Sequence, residues 1–298
     1  MNTRKLLVSL FVGLVTLTSA AFAQTQAAAA TIARFSGNVT AVLPDGSSVT
    51  VTQGMQLPQG TTLTTGDKSD AYLVTHGDTT SVVTQNSEVT VAETSITSSG
   101  GQVTKQTTTL DLKSGNLVAK LNPAKKSVNN YSVRTPKGVA AARGTVFSVT
   151  YNNQTYRITV ANGTVSFTSP TDGAQVSISG GQLSVDGVVT PISKQSGEGA
   201  ALTKQELAIV AATVAVAAAN NIGGTTSAEA QSIITTIIQA APEAAAAIQA
   251  AVQASAPSIS SAVQTIINNN EAAKEAVKDT PPPPTPQPID NTTVSRSG

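Results

Sequence analysis

The sequence predicts a mainly β protein. It reads as an antiparallel β domain in two β subdomains, then an Ala-rich α-helical repeat region and a disordered Pro-rich tail. Three observations carry this. From Val133 to Gln182, short strands of alternating polarity are joined by Asn-Gly, Asp-Gly and Gly-Gly turns. From Glu198 the composition shifts to Ala, Ile, Gln and Glu, and the apolar period becomes helical. From Thr280 a run of prolines favours an extended, solvated chain.

Residues 1–23 read as a secretory signal peptide. Arg4 and Lys5 form its charged start and Leu6 to Leu17 its apolar centre, and Ala21-Phe22-Ala23 fits the small-residue cleavage rule. The mature chain is then expected to begin at Gln24, with its net charge falling from +1 to −1. This implies an exported protein, periplasmic or extracellular. There is no Cys, so neither a lipid-bearing Cys nor a disulfide is expected, and the core must stand alone. Aromatics are 3% of the 298 residues and Trp is absent, which suits a core of Val, Ile, Leu and Ala and disfavours aromatic binding platforms.

The β domain is expected over residues 31–193. Val39, Ala41 and Leu43 alternate into the turn Pro44-Asp45-Gly46, and Val49 and Val51 alternate out of it, which predicts a hairpin. Gly66-Asp67 and His76-Gly77-Asp78 flank the strand Tyr72-Leu73-Val74. Ser98-Ser99-Gly100-Gly101 closes the first subdomain. In the second, Leu110 and Leu112 lead to a turn at Lys113-Ser114-Gly115, and Leu117, Ala119 and Leu121 follow. Thr145, Phe147, Val149 and Tyr151 share one strand face, and Asn152-Asn153 turns the chain back. Asn162-Gly163 is the strongest hairpin signal in the chain. Asp172-Gly173 turns it once more, into Val176 and Ile178.

The helical region is expected over residues 198–279. Leu207 to Ala219 is apolar but shorter than the roughly 20 residues of a membrane span. It reads as a packed helix, so no span is expected in the mature chain. A fifteen-residue repeat follows. Ser227, Pro242 and Pro257 open its units. Ile233, Ile248 and Val263 occupy one matching position, and Ile237, Val252 and Ile267 another four residues on. Each unit is a short amphipathic helix opened by Ser or Pro. Glu229 and Glu243 lie in first turns, where the helix dipole favours them. Residues 280–298 form the Pro-rich tail.

The ordered motifs resemble the FecR domain family. Leu57, Gly60, Leu63, Thr65, Gly66, Asp67, Ser69 and Ala71 match its Leu-x-x-Gly-x-x-Leu-x-Thr-Gly-Asp-x-Ser-x-Ala stretch. Gly77, Asn86-Ser87-Glu88-Val89, and Leu112 with Gly115 follow in family order. Thr135, Pro136, Arg143, Gly144, Thr145 and Phe147 match the Thr-Pro…Arg-Gly-Thr-x-Phe block, and Gly163-Thr164-Val165 and Gly181-Gln182 close the pattern. The resemblance spans about Ala33 to Val185. It implies an envelope-side β module that binds or scaffolds. Regulatory members of the family carry a cytoplasmic segment and a membrane helix, where this chain shows a cleavable signal. What the resemblance implies for this chain is the envelope-side β module alone, and control of a sigma factor across the membrane is not implied by it.

No catalytic residue, metal ligand or cofactor is expected. The single His, His76, lies in a turn and reads as exposed; Ser/His/Asp chemistry needs a serine and an acid converging on it. Asp45, Asp67, Asp78, Asp172 and Asp186 sit beside or near Gly, as turn residues do, without the spacing of a calcium loop. Charge is uneven. Gln24 to Leu112 holds seven acids and three bases, whereas Lys113 to Arg143 holds seven bases and no acid. Lys113, Lys120, Lys125 and Lys126 make a candidate basic patch for anionic polymers or an acidic partner. The same residues equally suit pairing with the acidic first half. Arg134, Lys137 and Arg143 make a candidate binding site or a latch between subdomains, and Arg143 is expected to be partly buried. The expected partner is an envelope protein or glycan. Nucleic acid is not expected. The competing reading is a structural or adhesive surface protein that self-associates through its helices.

Overall fold

A computed structural model describes residues 23–278. The expected signal peptide, apart from Ala23, and the Pro-rich tail lie outside the described residues. After β1 (Gln24–Ala27) and β2 (Ala30–Ser36), the chain forms β3 (Val39–Val42), β4 (Ser48–Thr50), β5 (Gln56–Leu57) and β6 (Thr62–Thr65). Six hairpins follow. They pair β7 (Asp70–Thr75) with β8 (Thr79–Val83), β9 (Ser87–Ser99) with β10 (Gln102–Lys120), and β11 (Asn129–Thr135) with β12 (Gly138–Ala142). They then pair β13 (Val146–Asn152) with β14 (Thr155–Asn162), β15 (Thr164–Thr168) with β16 (Gln175–Ser179), and β17 (Gln182–Val185) with β18 (Val188–Pro191).

The strands sort into two sheets. The outer sheet runs β4-β3-β6-β9-β10-β11-β12-β15-β16, with β1 beside the far half of β9. The central sheet runs β5-β2-β7-β8-β10-β13-β14-β17-β18. From β7 onward the hairpins lie in the order central, outer, outer, central, outer, central. β10 belongs to both. Its burial follows that passage: Gln106 to Leu112 alternates buried and half-buried, and Leu117 to Lys120 is buried throughout. A strand with one wet face alternates, and a strand covered on both faces does not.

What covers the central sheet is a layer of helices: α1 (Gly197–Ala219), α2 (Ser227–Ala240), α3 (Ala245–Ser255), α4 (Pro257–Asn268) and α5 (Glu271–Lys278). One core lies between the sheets, built on Leu63, Leu73, Leu110, Leu117, Phe147 and Phe167. A second lies between the central sheet and the helices, where Tyr72, Val82, Val118, Val146 and Leu183 pack with Leu207, Val214, Ile234 and Ile237. Ile233, Ile248 and Val263 are all buried, as are Ile237, Val252 and Ile267. α2, the 3₁₀ turn that leads into α3, and α4 begin at Ser227, Pro242 and Pro257.

The passages between sheets are corners, and the corners stack on one another. At one end a Cβ on Gly37 would lie 2.3 Å from Ser69 Oγ, and a Cβ on Gly115 would lie 2.1 Å from Ser87 Oγ. Asn38 N–H donates to Ser69 Oγ (2.9 Å) and Asn116 N–H to Ser87 Oγ (2.9 Å). Gly66 and Asn86 link the rungs, with Gly66 N–H donating to Asn38 O (2.9 Å) and Asn86 N–H to Gly66 O (3.1 Å). At the other end Gly144, Gly163 and Gly180 form the matching stack. Gly180 N–H donates to Gly163 O at 2.9 Å, and a Cβ on Gly163 would lie 2.8 Å from Thr145 Oγ1.

These corners correct several expectations. Asn162-Gly163 is no hairpin: β14 pairs with β13 and β17, and β15 with β12 and β16. Gly163 has φ +87 but Asn162 has no positive φ, and a type I′ turn needs both. The hairpin in that region turns at Asn153-Gln154, both at positive φ. Lys113-Ser114-Gly115 is not a turn either, since β10 runs through it and changes sheet there. The sheets are not wholly antiparallel. β11 pairs parallel to β10, because β10 ends in the central sheet and the chain then returns to the outer one. The two β subdomains share one core from Ala30 to Ile178, and Ser98–Gly101 falls at the tip of the β9–β10 hairpin. α1 begins ten residues before Leu207 and is long and apolar enough to cross a membrane by length and composition. Here it packs between sheet and helices, with Glu206 and Thr203 buried.

Two ion pairs fix how the helices sit. Arg157 Nε donates to Glu206 Oε2 at 2.7 Å, each side chain 11% exposed. Thr159 Oγ1 donates to the same oxygen at 2.7 Å, and Arg157 also bonds Thr203. Lys120, buried, pairs with Glu229 of α2 at 3.0 Å. Such pairs add little net stability against apolar packing, but breaking one strands a charge. Glu206→Ala is expected to lower stability by about 3–5 kcal/mol in denaturant unfolding, and the double change Arg157→Met with Glu206→Met to recover most of it. Gly115→Ala combines positive φ with a clash against Ser87 and is expected to lose about 3 kcal/mol or more. Gly46→Ala, also at positive φ but with nothing near its Cβ, is expected to lose only about 1–2 kcal/mol in the same assay.

Candidate binding site

After β10 the chain returns to the outer sheet through a 3₁₀ turn, Pro123–Lys125, capped by Asn122 Oδ1 accepting from Ala124 N–H at 2.9 Å. The β12–β13 corner packs on that turn. A Cβ on Gly144 would lie 2.7 Å from Pro123 Cα and 3.4 Å from Lys126 Cβ. This brings Lys126 and Arg143 to one hollow of about 680 Å³ on the outer sheet. Buried Thr145 holds the corner, its hydroxyl within reach of Arg143 O (3.3 Å) and Thr164 O (3.1 Å).

The floor crosses four adjacent strands. It is formed by Thr107 of β10, Asn130 and Ser132 of β11, Ala141 of β12, and Ser166 of β15, with Thr164 at the corner. Register places Thr107 beside Asn130, Ser132 beside Ala141, and Ala141 beside Ser166. Period-2 alternation turns their hydroxyl and amide groups outward while Tyr131, Val133, Ala142 and Val165 point into the core. No acid lines the hollow.

The sequence-predicted site residues separate into groups. Lys113 pairs with Glu88 at the surface (2.9 Å), and Arg134 makes a two-pronged pair with Asp111, its neighbour in the parallel register. Both follow the reading in which the basic stretch neutralises the acidic first half. Lys120 leaves the surface for the helix interface. Lys113, Lys120, Lys125 and Lys126 therefore do not form one patch. Lys125, Lys126, Lys137 and Arg143 have no side-chain carboxylate partner among the described residues. Of these only Lys126 and Arg143 line the hollow; Lys137 sits at the β11–β12 tip and Lys125 on the 3₁₀ turn. Arg143 is exposed, not partly buried, because its corner turns it away from the strand's buried face. Sequence reasoning missed the floor, although the alternating polar residues at 107, 130, 132, 164 and 166 carried the signal.

A second hollow, about 600 Å³, lies between the β2–β7 side of the central sheet and α1 and α3. Its charges are mixed, with Arg34 and Lys68 beside Asp70, and Arg34 sits 5.9 Å from the Tyr72 ring centre.

His76 is in its turn, at φ +55, but half-buried rather than exposed. Its Nε2–H donates to Thr107 O at 3.0 Å, which docks the β7–β8 tip on β10. Three rungs continue that contact between the sheets: Thr75–Thr108 (3.1 Å), Thr79–Asn129 (3.0 Å) and Ser81–Tyr131 (2.7 Å). Among the described residues no serine hydroxyl bonds the imidazole, and no three His, Asp or Glu side chains gather as a metal-ligand set.

Residues 61–166 match the family model described as FecR protein. Every residue lining the Lys126–Arg143 hollow falls inside that segment. The family-like motifs at Leu57, Gly60 and Gly181-Gln182 fall outside it. No curated protein matches. Among solved structures the chain is similar to a putative anti-sigma factor from Parabacteroides distasonis ATCC 8503, at 10% identity and a TM-score of 0.36, over 48% of this chain and 63% of that one. Another structure of a putative anti-sigma factor from the same organism gives 10% identity and a TM-score of 0.28, over 61% of this chain and 64% of that one. The chain spans less than two thirds of either.

Burial pushes the His76 imidazole below its usual range. The unfolded chain takes up a proton near about pH 6.5 while the native state resists it. The contribution of His76 to stability is therefore full above that pH and falls as the pH drops through and below it. His76 is the one histidine, so the window is clean. Unfolding midpoints are expected to decline from about pH 7 to about pH 5. His76→Asn, which tolerates positive φ, is expected to remove that part of the decline.

Proposed function

We propose, from the FecR domain that residues 61–166 carry, that this chain is an exported, non-enzymatic binding or scaffolding protein of the cell envelope with a part in envelope sensing or signalling. The observation that carries the reading is the groove. Lys113, Lys120, Arg134 and Arg157 each face a carboxylate, whereas Lys126 and Arg143 are brought to one hollow with none. Two like charges held together repel, and a bound anion relieves that repulsion. The ligand on this reading is an envelope protein or glycan that presents negative charge.

The other reading, a surface protein that self-associates through the fifteen-residue helical repeats, has less behind it. The apolar positions of those helices are buried against the central sheet and one another. Little apolar surface is left for a second copy among the described helices.

Retention on isolated envelope fragments tests the proposal. Binding is expected to saturate, to be competed by free protein, and to weaken at least about tenfold in a Lys126→Gln, Arg143→Gln variant. Lys113→Gln, which removes only an exposed surface pair, is expected to change it little. Unsaturable uptake that is unaffected by the groove variant and accompanied by concentration-dependent assembly of the protein itself would overturn it.

A further inference from the structure

We infer that the Lys126–Arg143 groove takes an acidic glycan, a polymer that carries both hydroxyls and carboxylate or phosphate groups. This rests on reading the groove as the binding site. The first ground is backbone. A peptide added as a strand needs a free sheet edge. The floor strands β10, β11, β12 and β15 are each paired on both sides, so their main-chain groups are already used. Recognition here falls to side chains.

The second ground is which side chains they are. Thr107, Asn130, Ser132 and Ser166 are hydroxyls or an amide, set out across neighbouring strands; Ser132 Oγ donates to Thr109 Oγ1 at 3.1 Å and keeps its acceptor side, and the others can donate and accept. Ala141 among them leaves room for a ring to lie close. An acidic peptide satisfies the two cations but leaves this row of hydroxyls with little to bond. A polyhydroxylated chain matches it. No aromatic side chain is exposed among the described residues, so neither stacked bases nor a neutral sugar held by ring stacking fits the site. The cations must then supply much of the affinity through charge-assisted bonds to an anionic group.

Calorimetric titration of the purified protein tests this with four probes: a galacturonate oligomer, a glycerol-phosphate oligomer, an uncharged galactose oligomer and oligoglutamate. One or both charged hydroxylated oligomers are expected to bind saturably, with the uncharged oligomer not bound and oligoglutamate at least about tenfold weaker. Preference between the first two identifies the anionic group. Arg143→Gln is expected to weaken glycan binding about tenfold. Ser132→Val with Ser166→Val is expected to weaken glycan binding several-fold and leave oligoglutamate unchanged. Oligoglutamate bound as tightly as the glycans, or glycan binding indifferent to the two serines, overturns the inference in favour of an acidic protein. If neither glycan binds while envelope retention still depends on Lys126 and Arg143, the glycan assignment is lost and the binding reading stands. If retention ignores those residues, both fail.

Discussion

The structure depends on stacked corners. From β7 onward the hairpins switch between the sheets, with β9–β10 and β11–β12 alone following one another in the outer one, and at each switch the chain must leave one sheet and enter the other within a few residues. A side chain on the inside of such a corner would occupy the space of the next. Glycine removes the side chain, and the neighbouring rung fills the gap with a small hydroxyl: Ser69 against Gly37, Ser87 against Gly115, Thr145 against Gly163. Those hydroxyls also bond main-chain groups at the corners, Asn38 N–H, Asn116 N–H and Thr164 O. Buried backbone groups must be paired somewhere, and here the stack does it.

The rest of the molecule follows. Because β10 changes sheet at Gly115, its second half is covered on both faces, and the central sheet needs a second layer. The helices are that layer. Several are short for independent stability, and they are held by an apolar core and by charges placed within it: Glu206 against Arg157, and Glu229 against Lys120. On the other side, the return of the chain through Pro123–Lys125 brings a loop against the β12–β13 corner. The groove is what lies between the two.

Much of this was legible in the sequence, and the limits are physical. Alternation placed most strands, and the change to a helical period after Glu198 placed the C-terminal helices. The turns at Pro44-Asp45-Gly46 and Asp172-Gly173 fell where local chemistry put them. Asn162-Gly163 did not act as a hairpin, although it carried the strongest local signal. Hairpin and corner both call for positive φ and a missing side chain. They differ in which strand the next residues pair with, and that is decided by contacts far away in sequence. For the same reason the run of bases from Lys113 to Arg143 looked like one surface. Only the fold separates Lys120, drawn under α2, from Arg134, matched to Asp111, and from Lys126 and Arg143. The groove floor was hidden because serines and threonines on a solvent face look alike whether or not they meet a ligand.

Several of the motif positions that carry the FecR resemblance, Gly66, Asn86-Ser87, Gly115, Gly144-Thr145 and Gly163, are the corners. They record how the chain turns and say nothing of what it holds. The hydroxyls and cations of the groove sit on the wet side of paired strands or at the rim of a turn, where exchange leaves both cores intact. Architecture and recognition are thus written largely in separate residues, and Arg143, a motif position that also lines the groove, belongs to both. Selection can rewrite Lys126 and the groove floor while the signature stays constant, so chains that share the signature keep one cation of the groove and need not share the rest of it.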